Sequence, residues 1–423
     1  MNKFILIIIF FFTSFDTKIV AFTPKARHSH ASIVVDGKVY YFGGITPTTE
    51  GSQILSNEMF YFDITKEVDT SSILWVDQTA TSPMSVQTEG ATTVVGSNDN
   101  NTIFMVGGTM FHPKTNTLEM NALVYAFNIN NQIWSKVEVL GATPPGRKQA
   151  KGVIDPNGKI YLFCGINANY VSGGVIGYLG GMEIFDTKSL SWSTVTSDNT
   201  EWRGQYSATI LENGNIIYLG GLTMLNADVD ISKAYIYNTN TGIWSTEGIK
   251  GDATITIDNR YGHSAVLYKG KIIIYGGAKG LNQVTPNPSL VFLKVDGEQY
   301  VWETPQTLTI DNPPLPVSHH SAEIVGDFMI VAFGNVTNNL TLPTSANDKV
   351  FLFNLNTYSW VSHFNPPPPP SQTDTDGKNS STDAGGNPIL TDGSNGYLTP
   401  SKTFVMGIII NVIIINYLIT LSC

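Results

Sequence analysis

The stretch Arg260–Gly277 reads RYGHSAVLYKGKIIIYGG and contains the pattern that decides the fold. A polar start leads into an apolar run, a Lys269-Gly270 turn, a second apolar run and a glycine pair. The second run is apolar on both faces, which predicts a strand that is buried on both sides. The glycine pair indicates a backbone that needs positive φ or a close approach. The unit therefore predicts two paired strands followed by a tight turn.

This unit occurs six times. The copies align on the second glycine of the pair, at Gly44, Gly108, Gly165, Gly221, Gly277 and Gly334. A tryptophan follows each of them, at Trp75, Trp134, Trp192, Trp244, Trp302 and Trp360. An Asp or Asn lies six residues before the last five tryptophans, whereas Asp63 lies twelve residues before Trp75. Landmarks that stay in register through six units indicate a repeat architecture, with a longer hairpin in the first unit.

Each unit is expected to contain four strands. In the fourth copy the predicted strands are Tyr206–Leu211, Ile216–Leu219, Ala234–Tyr237 and Ile243–Ser245. Asn213-Gly214 is predicted to be a two-residue hairpin turn, because both residue types tolerate positive φ. Turn pairs at the same place in other copies are Asp36-Gly37, Asn157-Gly158 and Lys269-Gly270.

A four-stranded sheet repeated six times, with no long helical pattern, predicts an all-β fold of six radially stacked blades. The chain resembles the kelch-repeat propeller family over about residues 24–364. The resemblance is carried by the spaced tryptophans and by Gly43-Gly44, Gly107-Gly108, Gly220-Gly221 and Gly276-Gly277. Cys164-Gly165 and Phe333-Gly334 depart from it, although their strand patterns persist. The family's ring is often closed by a strand from the other terminus. Here each terminal unit is contiguous, which favours closure by blade packing.

The two ends of the chain predict a secreted, membrane-attached protein. Residues 1–21 begin with one lysine before a short apolar run, as in a signal peptide. After the propeller, residues 365–403 begin with prolines and are rich in Ser, Thr, Gly and Asn, which predicts a disordered stalk. The apolar segment 404–421 fits either a glycolipid-anchor signal or a transmembrane helix.

Composition excludes one large class of partners. The net charge is −10 and the sequence pI is about 5.1. Nucleic-acid binding requires basic surface that replaces counterions, so it is not expected. No cofactor is predicted, and a monomeric propeller is expected.

The candidate binding face follows from the strand order. In each blade the connection between strands two and three is long, and it lies on the same face as the links between blades. Loops on a rigid scaffold commonly carry binding. Four arginines precede first strands at this face: Arg27, Arg147, Arg203 and Arg260. They could ring the channel mouth and hold an acidic group, or each could hydrogen-bond the backbone of a neighbouring blade.

Three histidines, His30, His263 and His320, share one repeat position. Periodic placement favours a packing role over metal binding, so no metal site is predicted. A kelch-like propeller with copper-radical oxidase activity, as in galactose oxidase, needs His and Tyr side chains that converge with a cysteine. Cys164 is the one propeller cysteine, and its apolar strand context favours an inert thiol.

Four sequons fit a secreted chain and predict glycosylation at Asn100, Asn335, Asn339 and Asn379. The sequence thus predicts a non-catalytic cell-surface module that binds an extracellular protein or glycan at the long-loop face. Two alternatives stay open, an oxidoreductase that resembles galactose oxidase and a structural cell-wall protein.

Overall fold

The structure is a computed structural model. It describes residues 22–366, apart from residues 49, 97–99, 169–176, 197–201, 252–255, 298, 306–313 and 338–345. No helix long and apolar enough to cross a membrane is present in these described ranges. The predicted signal peptide, the apolar tail and all of the stalk after residue 366 lie outside them.

The described residues form six four-stranded antiparallel sheets, here called blades 1 to 6. In each blade the strands pair in chain order. Blade 1 contains Ala31–Val35, Lys38–Phe42, Met59–Asp63 and Trp75–Asp77. Blade 2 contains Thr92–Val95, Thr102–Val106, Val124–Asn128 and Ile133–Lys136. Blade 3 contains Val153–Ile154, Lys159–Phe163, Met182–Asp186 and Ser191–Val195.

The second half of the propeller repeats this arrangement. Blade 4 contains Ser207–Ile210, Asn215–Leu219, Lys233–Asn238 and Ile243–Gly248. Blade 5 contains Ser264–Tyr268, Lys271–Tyr275, Leu290–Lys294 and Val301–Glu303. Blade 6 contains Ser321–Val325, Phe328–Ala332, Val350–Asn354 and Ser359–Val361. The predicted all-β propeller is confirmed. Blades 3 and 6 form although each lacks the first glycine of the pair. The second glycine of the pair, on which the copies align, is called the landmark glycine below.

The repeated tryptophan joins neighbouring blades. Trp134 in blade 2 packs edge-on against Phe42 at the end of the second strand of blade 1, with ring centroids 5.6 Å apart. Trp360 of blade 6 packs in a tilted arrangement on Tyr275 of blade 5, with ring centroids 5.1 Å apart. Trp75 of blade 1 and Trp244 of blade 4 also contact a ring of the preceding blade, so these indoles cover a neighbouring sheet, because a single sheet cannot bury both of its faces.

The ring closes through contacts between blades 6 and 1. The first strands of successive blades contact one another in turn, and Ala31–Val35 also contacts Ser321–Val325. Both terminal blades are contiguous in sequence, as predicted. The structure adds one pairing that was not predicted, in which His363–Phe364 pairs with Val68–Asp69 of the long first hairpin. This pairing ties the end of the last blade to the first.

The turns between first and second strands are of two kinds. Asp36-Gly37 and Lys269-Gly270 have positive φ at both residues, as a two-residue turn of this kind requires. The prediction was wrong for Asn213-Gly214 and Asn157-Gly158, where only the glycine has positive φ. There the loop has a third residue, since Leu211 N–H donates to Asn215 and Asp155 N–H to Lys159.

Short strands outside the blades build the long-loop face. The link before a blade pairs with the residues that follow the landmark glycine of the same blade. These pairs include Arg147–Lys148 with Ile166–Asn167, Arg203–Gly204 with Leu222–Thr223, and Val317–Ser318 with Asn335–Val336. Ile45–Pro47 pairs with Gln53–Leu55, and Thr109–His112 pairs with both Gln87–Glu89 and Thr117–Leu118. Links and long connections therefore share one face, as predicted.

Candidate functional site: the channel mouth and long-loop face

A closed ring of main-chain hydrogen bonds surrounds the channel at the long-loop face. One residue from each blade donates its N–H to the carbonyl of the equivalent residue in the preceding blade, with N···O distances of 2.7–2.9 Å. All six have positive φ, between 53° and 64°. The members are Ser29, Gly90, Gln149, Gln205, Gly262 and His319. We call them the channel ring. The main-chain N–H and carbonyl groups of the channel ring are bonded to one another. The six positions therefore differ chemically in their side chains.

A second set of hydrogen bonds lies two residues earlier in each link. The N–H of each landmark glycine donates to a carbonyl of the next blade at 2.8 or 2.9 Å. The carbonyls belong to Thr88, Arg147, Arg203, Arg260, Val317 and Arg27. The bond from Gly334 to Arg27 closes the circuit between blades 6 and 1. The arginine positions therefore carry a backbone bond between blades.

The four predicted arginines are buried. Arg147 is representative: Nη1 donates to the Cys164 carbonyl at 2.9 Å and Nη2 to Glu183 Oε1 at 2.9 Å. Both partners belong to blade 3, so the side chain bonds its own blade and not a neighbouring one. Arg260 likewise donates to the carbonyls of Gly276 and Pro288 in blade 5.

The other two arginines follow the same plan. Arg27 donates to the Gly43 carbonyl at 2.8 Å and pairs with Glu58, and Arg203 lies 3.9 Å from the centre of the Tyr235 ring. Arg27, Arg147 and Arg260 thus join the ends of the second and third strands of their own blades, and Arg203 packs on the third strand of its blade. This placement favours a structural role, and ligand binding by the four arginines stays a prediction.

The three histidines at one repeat position bridge neighbouring blades. His30 Nε2 lies 2.8 Å from Ser321 Oγ, His263 Nε2 lies 2.9 Å from Ser207 Oγ, and His320 Nε2 lies 2.8 Å from Ser264 Oγ. Each serine begins the first strand of the preceding blade. The packing role predicted for these histidines is therefore confirmed by their contacts.

Burial lowers the pKa of the channel histidines. Desolvation lowers the pKa of His319 and of His320 to about 3, and it lowers the pKa of His30 and His263 well below the usual range. Nearby Arg27 and Arg260 add a smaller effect of the same sign on His30 and His263. The imidazoles are therefore neutral at physiological pH and serve as hydrogen-bonding groups.

A cavity lies at the channel ring. It measures about 530 Å³ with its open mouth, and its lining includes the six ring members, Tyr206 and the exposed side chain of Lys151. Glu323 accepts a hydrogen bond from Ser32 Oγ at 2.6 Å across the seam between blades 6 and 1. Burial raises the pKa of Glu323, and the charge of Lys151 partly offsets that shift.

Sequence reasoning missed a group of exposed apolar side chains on blades 4 and 5. They lie in the long connections between second and third strands, where Leu225 is 83% exposed and Leu281 is 78% exposed. Met224 and Val284 beside them are also exposed. We call Met224, Leu225, Leu281 and Val284 the apolar arc. Two leucines near loop tips were visible in the sequence, but their exposure depends on how the loops turn.

The loops that carry the apolar arc are braced. Thr223 N–H donates to the Ala227 carbonyl at 3.0 Å, which closes a tight turn around Leu225. Asp228 accepts the Gly280 N–H at 2.9 Å and so joins the blade 4 loop to the blade 5 loop. Tyr261 Oη donates to the Gly280 carbonyl at 3.1 Å. The leucines are therefore held out in solvent by fixed turns.

Cys164 occupies the position of the first glycine of the pair, just after the strand that was predicted to contain it. It is buried, its φ is +46°, and burial raises the pKa of its thiol. Within the described parts of the chain, no group of three His, Cys, Asp or Glu side chains is placed to hold a metal ion.

The predicted glycosylation sites differ in accessibility. Asn100 is exposed in the turn between the first two strands of blade 2. Asn335 is half-buried in a short strand, paired with Ser318. Asn339 and Asn379 lie outside the described residues. Glycosylation at all four stays a prediction.

Known proteins are similar to this chain over the propeller. A family model described as the Attractin/LZTR1 beta-propeller matches residues 8–285 and 170–399. The chain is 25% identical over 269 residues to kelch domain-containing protein 3 of Rattus norvegicus, which covers 59% of this chain and 64% of the relative. It is 24% identical over 328 residues to kelch domain-containing protein 10 of Homo sapiens. This match covers 74% of this chain and 67% of the relative. The chain spans less than two thirds of the length of kelch domain-containing protein 3.

Proposed function

The chain belongs to the Attractin/LZTR1 beta-propeller family, and from that premise we propose that it is a non-catalytic module that binds a protein through its long-loop face. The observation that carries the proposal is the apolar arc. Leu225 and Leu281 stay in solvent although the loops around them are fixed by hydrogen bonds. Rigid apolar side chains that the fold does not bury lose little entropy on binding, and they are common anchors in protein interfaces.

The apolar arc favours a protein over a glycan as the ligand. Its four side chains, Met224, Leu225, Leu281 and Val284, carry no hydrogen-bonding group other than a thioether. Sugars are recognised mainly through hydroxyl groups, which need hydrogen-bond partners when they lose water. A complementary apolar surface on a protein needs none.

The proposal is tested by a substitution pair with a matched control. The full chain, displayed on a host cell, is screened against purified extracellular proteins and against glycans. We expect a protein ligand whose binding falls about tenfold or more in the L225S/L281S variant, as for the loss of two interface anchors. The control pair, Leu74→Ser with Ile243→Ser, removes two other exposed apolar side chains elsewhere on the propeller. Equal losses in the two variants, or binding to glycans alone, would refute the proposal.

We also propose that the propeller lies on the cell surface and is held there by the apolar segment 404–421. Support comes from the signal-peptide pattern in residues 1–21 and from the sequons. An epitope tag placed after residue 22 should be stained on intact cells. Release by a phosphatidylinositol-specific phospholipase would identify a glycolipid anchor, and retention would identify a transmembrane helix. Staining only after permeabilisation would contradict the proposed location.

A further inference from the structure

One position along the channel departs from the repeat. Two residues after each member of the channel ring, five blades have an alanine, a threonine or a serine, and blade 3 has a lysine. In chain order the residues at this position are Ala31, Thr92, Lys151, Ser207, Ser264 and Ser321. In blades 4, 5 and 6 the serine contacts a histidine of the following blade. Where blade 3 meets blade 4 the two places are taken by Lys151 and Tyr206, and the Tyr206 hydroxyl donates to the Phe163 carbonyl instead.

The Lys151 ammonium lies inside the channel without a partner from the described residues. The side chain is exposed, and it lines both the cavity at the channel ring and an adjoining cavity of about 610 Å³, open space included. Its Nζ atom makes no hydrogen bond or ion pair with the residues that the structure describes. Its charge nevertheless acts on Glu323 of blade 6 and on His30 beside blade 1. The ammonium is therefore within electrostatic range of the opposite side of the channel.

Two serine hydroxyls in the adjoining cavity can donate hydrogen bonds to a ligand. Burial lowers the pKa of His30 and of His263 well below the usual range, so each neutral ring carries a single N–H. Nδ1 of both rings has no partner among the described residues. The N–H is therefore assigned to Nε2, where Oγ of Ser321 or Ser207 accepts it, because a buried N–H without an acceptor is destabilising. In this tautomer the O–H groups of both serines remain to donate into the cavity that they line.

We propose that the channel binds one small monovalent anion, such as chloride, at Lys151. The ammonium and the two serine hydroxyls are all hydrogen-bond donors, and an anion accepts from each of them, whereas a metal cation accepts from none. The site goes beyond the proposed function, because it lies within the channel and contains no residue of the apolar arc.

Charge and access limit the ion to a small monovalent one. Lys151 is the one cationic side chain among the described residues that line the two cavities, and Glu323 repels further negative charge when it is ionised. The mouth is narrow, because the six main-chain segments of the channel ring, if about 4.8 Å apart as in a sheet, enclose a circle about 9 Å across between backbones. The hydrogen bond between His319 and Gln205 occupies one side of it. The N–H groups of the channel ring, which could otherwise hold a phosphate, already donate to carbonyls.

The experiment follows thermal melting of the full chain through a chloride titration at constant ionic strength. Gluconate replaces chloride, because it is too bulky for the mouth. An ion that binds the folded chain raises the melting temperature in a saturable way, and we expect this rise in the unsubstituted chain. Lys151→Ser should weaken the apparent affinity for chloride about tenfold or more, as for the loss of a charged hydrogen bond. Serine occupies this position in blades 4, 5 and 6, so K151S should fold.

The control is Lys114→Ser, which removes an exposed lysine from the long connection of blade 2 and should leave chloride binding unchanged. Glu323→Gln should bind chloride at least as tightly as the unsubstituted chain. In crystals grown with bromide, which need no variant, anomalous scattering should show one ion in contact with Lys151 Nζ. The absence of that ion, a melting temperature that does not respond to chloride, or an equal response in K151S overturns the site. Weaker chloride binding in E323Q also overturns it, since the ammonium would then be held by the carboxylate and not by an ion.

Discussion

His30 Nε2 lies 2.8 Å from the Oγ atom of Ser321, which follows it by 291 residues in the chain. The contact joins the first strand of blade 6 to the residue that precedes the first strand of blade 1. His263 and His320 make the same contact with the preceding blade at two further seams. Three imidazoles thus link blades 4, 5, 6 and 1 around the channel, and the seam that closes the ring is built like the two seams before it.

Replacement of His30 by alanine should weaken this closing seam. The substitution removes a hydrogen bond inside the channel and an edge contact with Phe333, whose ring centroid is 5.2 Å away. We expect the free energy of unfolding to fall by about 2–4 kcal/mol, as for other buried side chains that are truncated. Urea denaturation measures this loss. The half-exposed His112 provides the control, since H112A should change stability by about 0.5 kcal/mol or less. A similar loss in both variants would refute the role of the seam.

Acid should destabilise the propeller before most carboxylates titrate. The pKa of His319 and of His320 is lowered to about 3 in the folded chain, against about 6.5 in an unfolded chain. Between these values the unfolded chain binds protons that the folded chain does not. The stability is therefore fully present above pH 6.5 and declines as the pH falls toward 3, by about 1.4 kcal/mol per pH unit for each such histidine.

Thermal melting between pH 7.5 and pH 5 tests this prediction. The H320Q variant keeps a side chain that can hydrogen-bond to Ser264 but cannot take up a proton. We expect the melting temperature of H320Q to fall less steeply with pH than that of the unsubstituted chain. Equal slopes in the two proteins would show that the buried imidazole of His320 does not contribute to the acid sensitivity.

The repeat explains how much of this structure the sequence could predict. Glycine pairs, tryptophans and apolar runs recur because every blade must be buried and turned in the same way, so they identify strands and their number. The channel ring left no such signal. Its members include Ser29, Gln149 and His319, which share no side-chain chemistry because main-chain atoms form the ring.

The arginines show a different limit. Sequence spacing placed Arg27, Arg147, Arg203 and Arg260 at equivalent positions, which the structure bears out. Spacing could not show whether a side chain at that position points to the channel or back into its own blade. The buried acceptors at the second and third strands, such as the Gly43 carbonyl and Glu183, decide this, and they are distant in sequence.

The Arg147–Glu183 pair should be a strong test of the structural role of the arginines. Arg147→Met leaves the Glu183 carboxylate buried without its cation, and we expect a loss of about 3–5 kcal/mol in unfolding free energy. The double variant R147M/E183Q should recover a large part of that loss, because it removes the unpaired charge. Chemical denaturation of the two single variants and the double variant measures the coupling. Simple additivity of the single losses would show that the two side chains do not stabilise each other.

The close approach at Gly276 predicts a large difference between two glycines of similar φ. Gly276 has a φ of +64°, and a Cβ added there would lie 2.4 Å from the Val317 carbonyl oxygen of blade 6. Gly280 has a φ of +65°, but an added Cβ would meet nothing within 4 Å. Gly280→Ala should therefore cost only the left-handed backbone conformation, about 1–2 kcal/mol. Gly276→Ala must in addition push apart blades 5 and 6, since backbone cannot yield as a flexible side chain does.

We expect G276A to lower the melting temperature much more than G280A does in a calorimetric scan. Equal melting temperatures would mean that the seam between these blades adapts to a methyl group, and that the glycine is retained there for its backbone conformation alone.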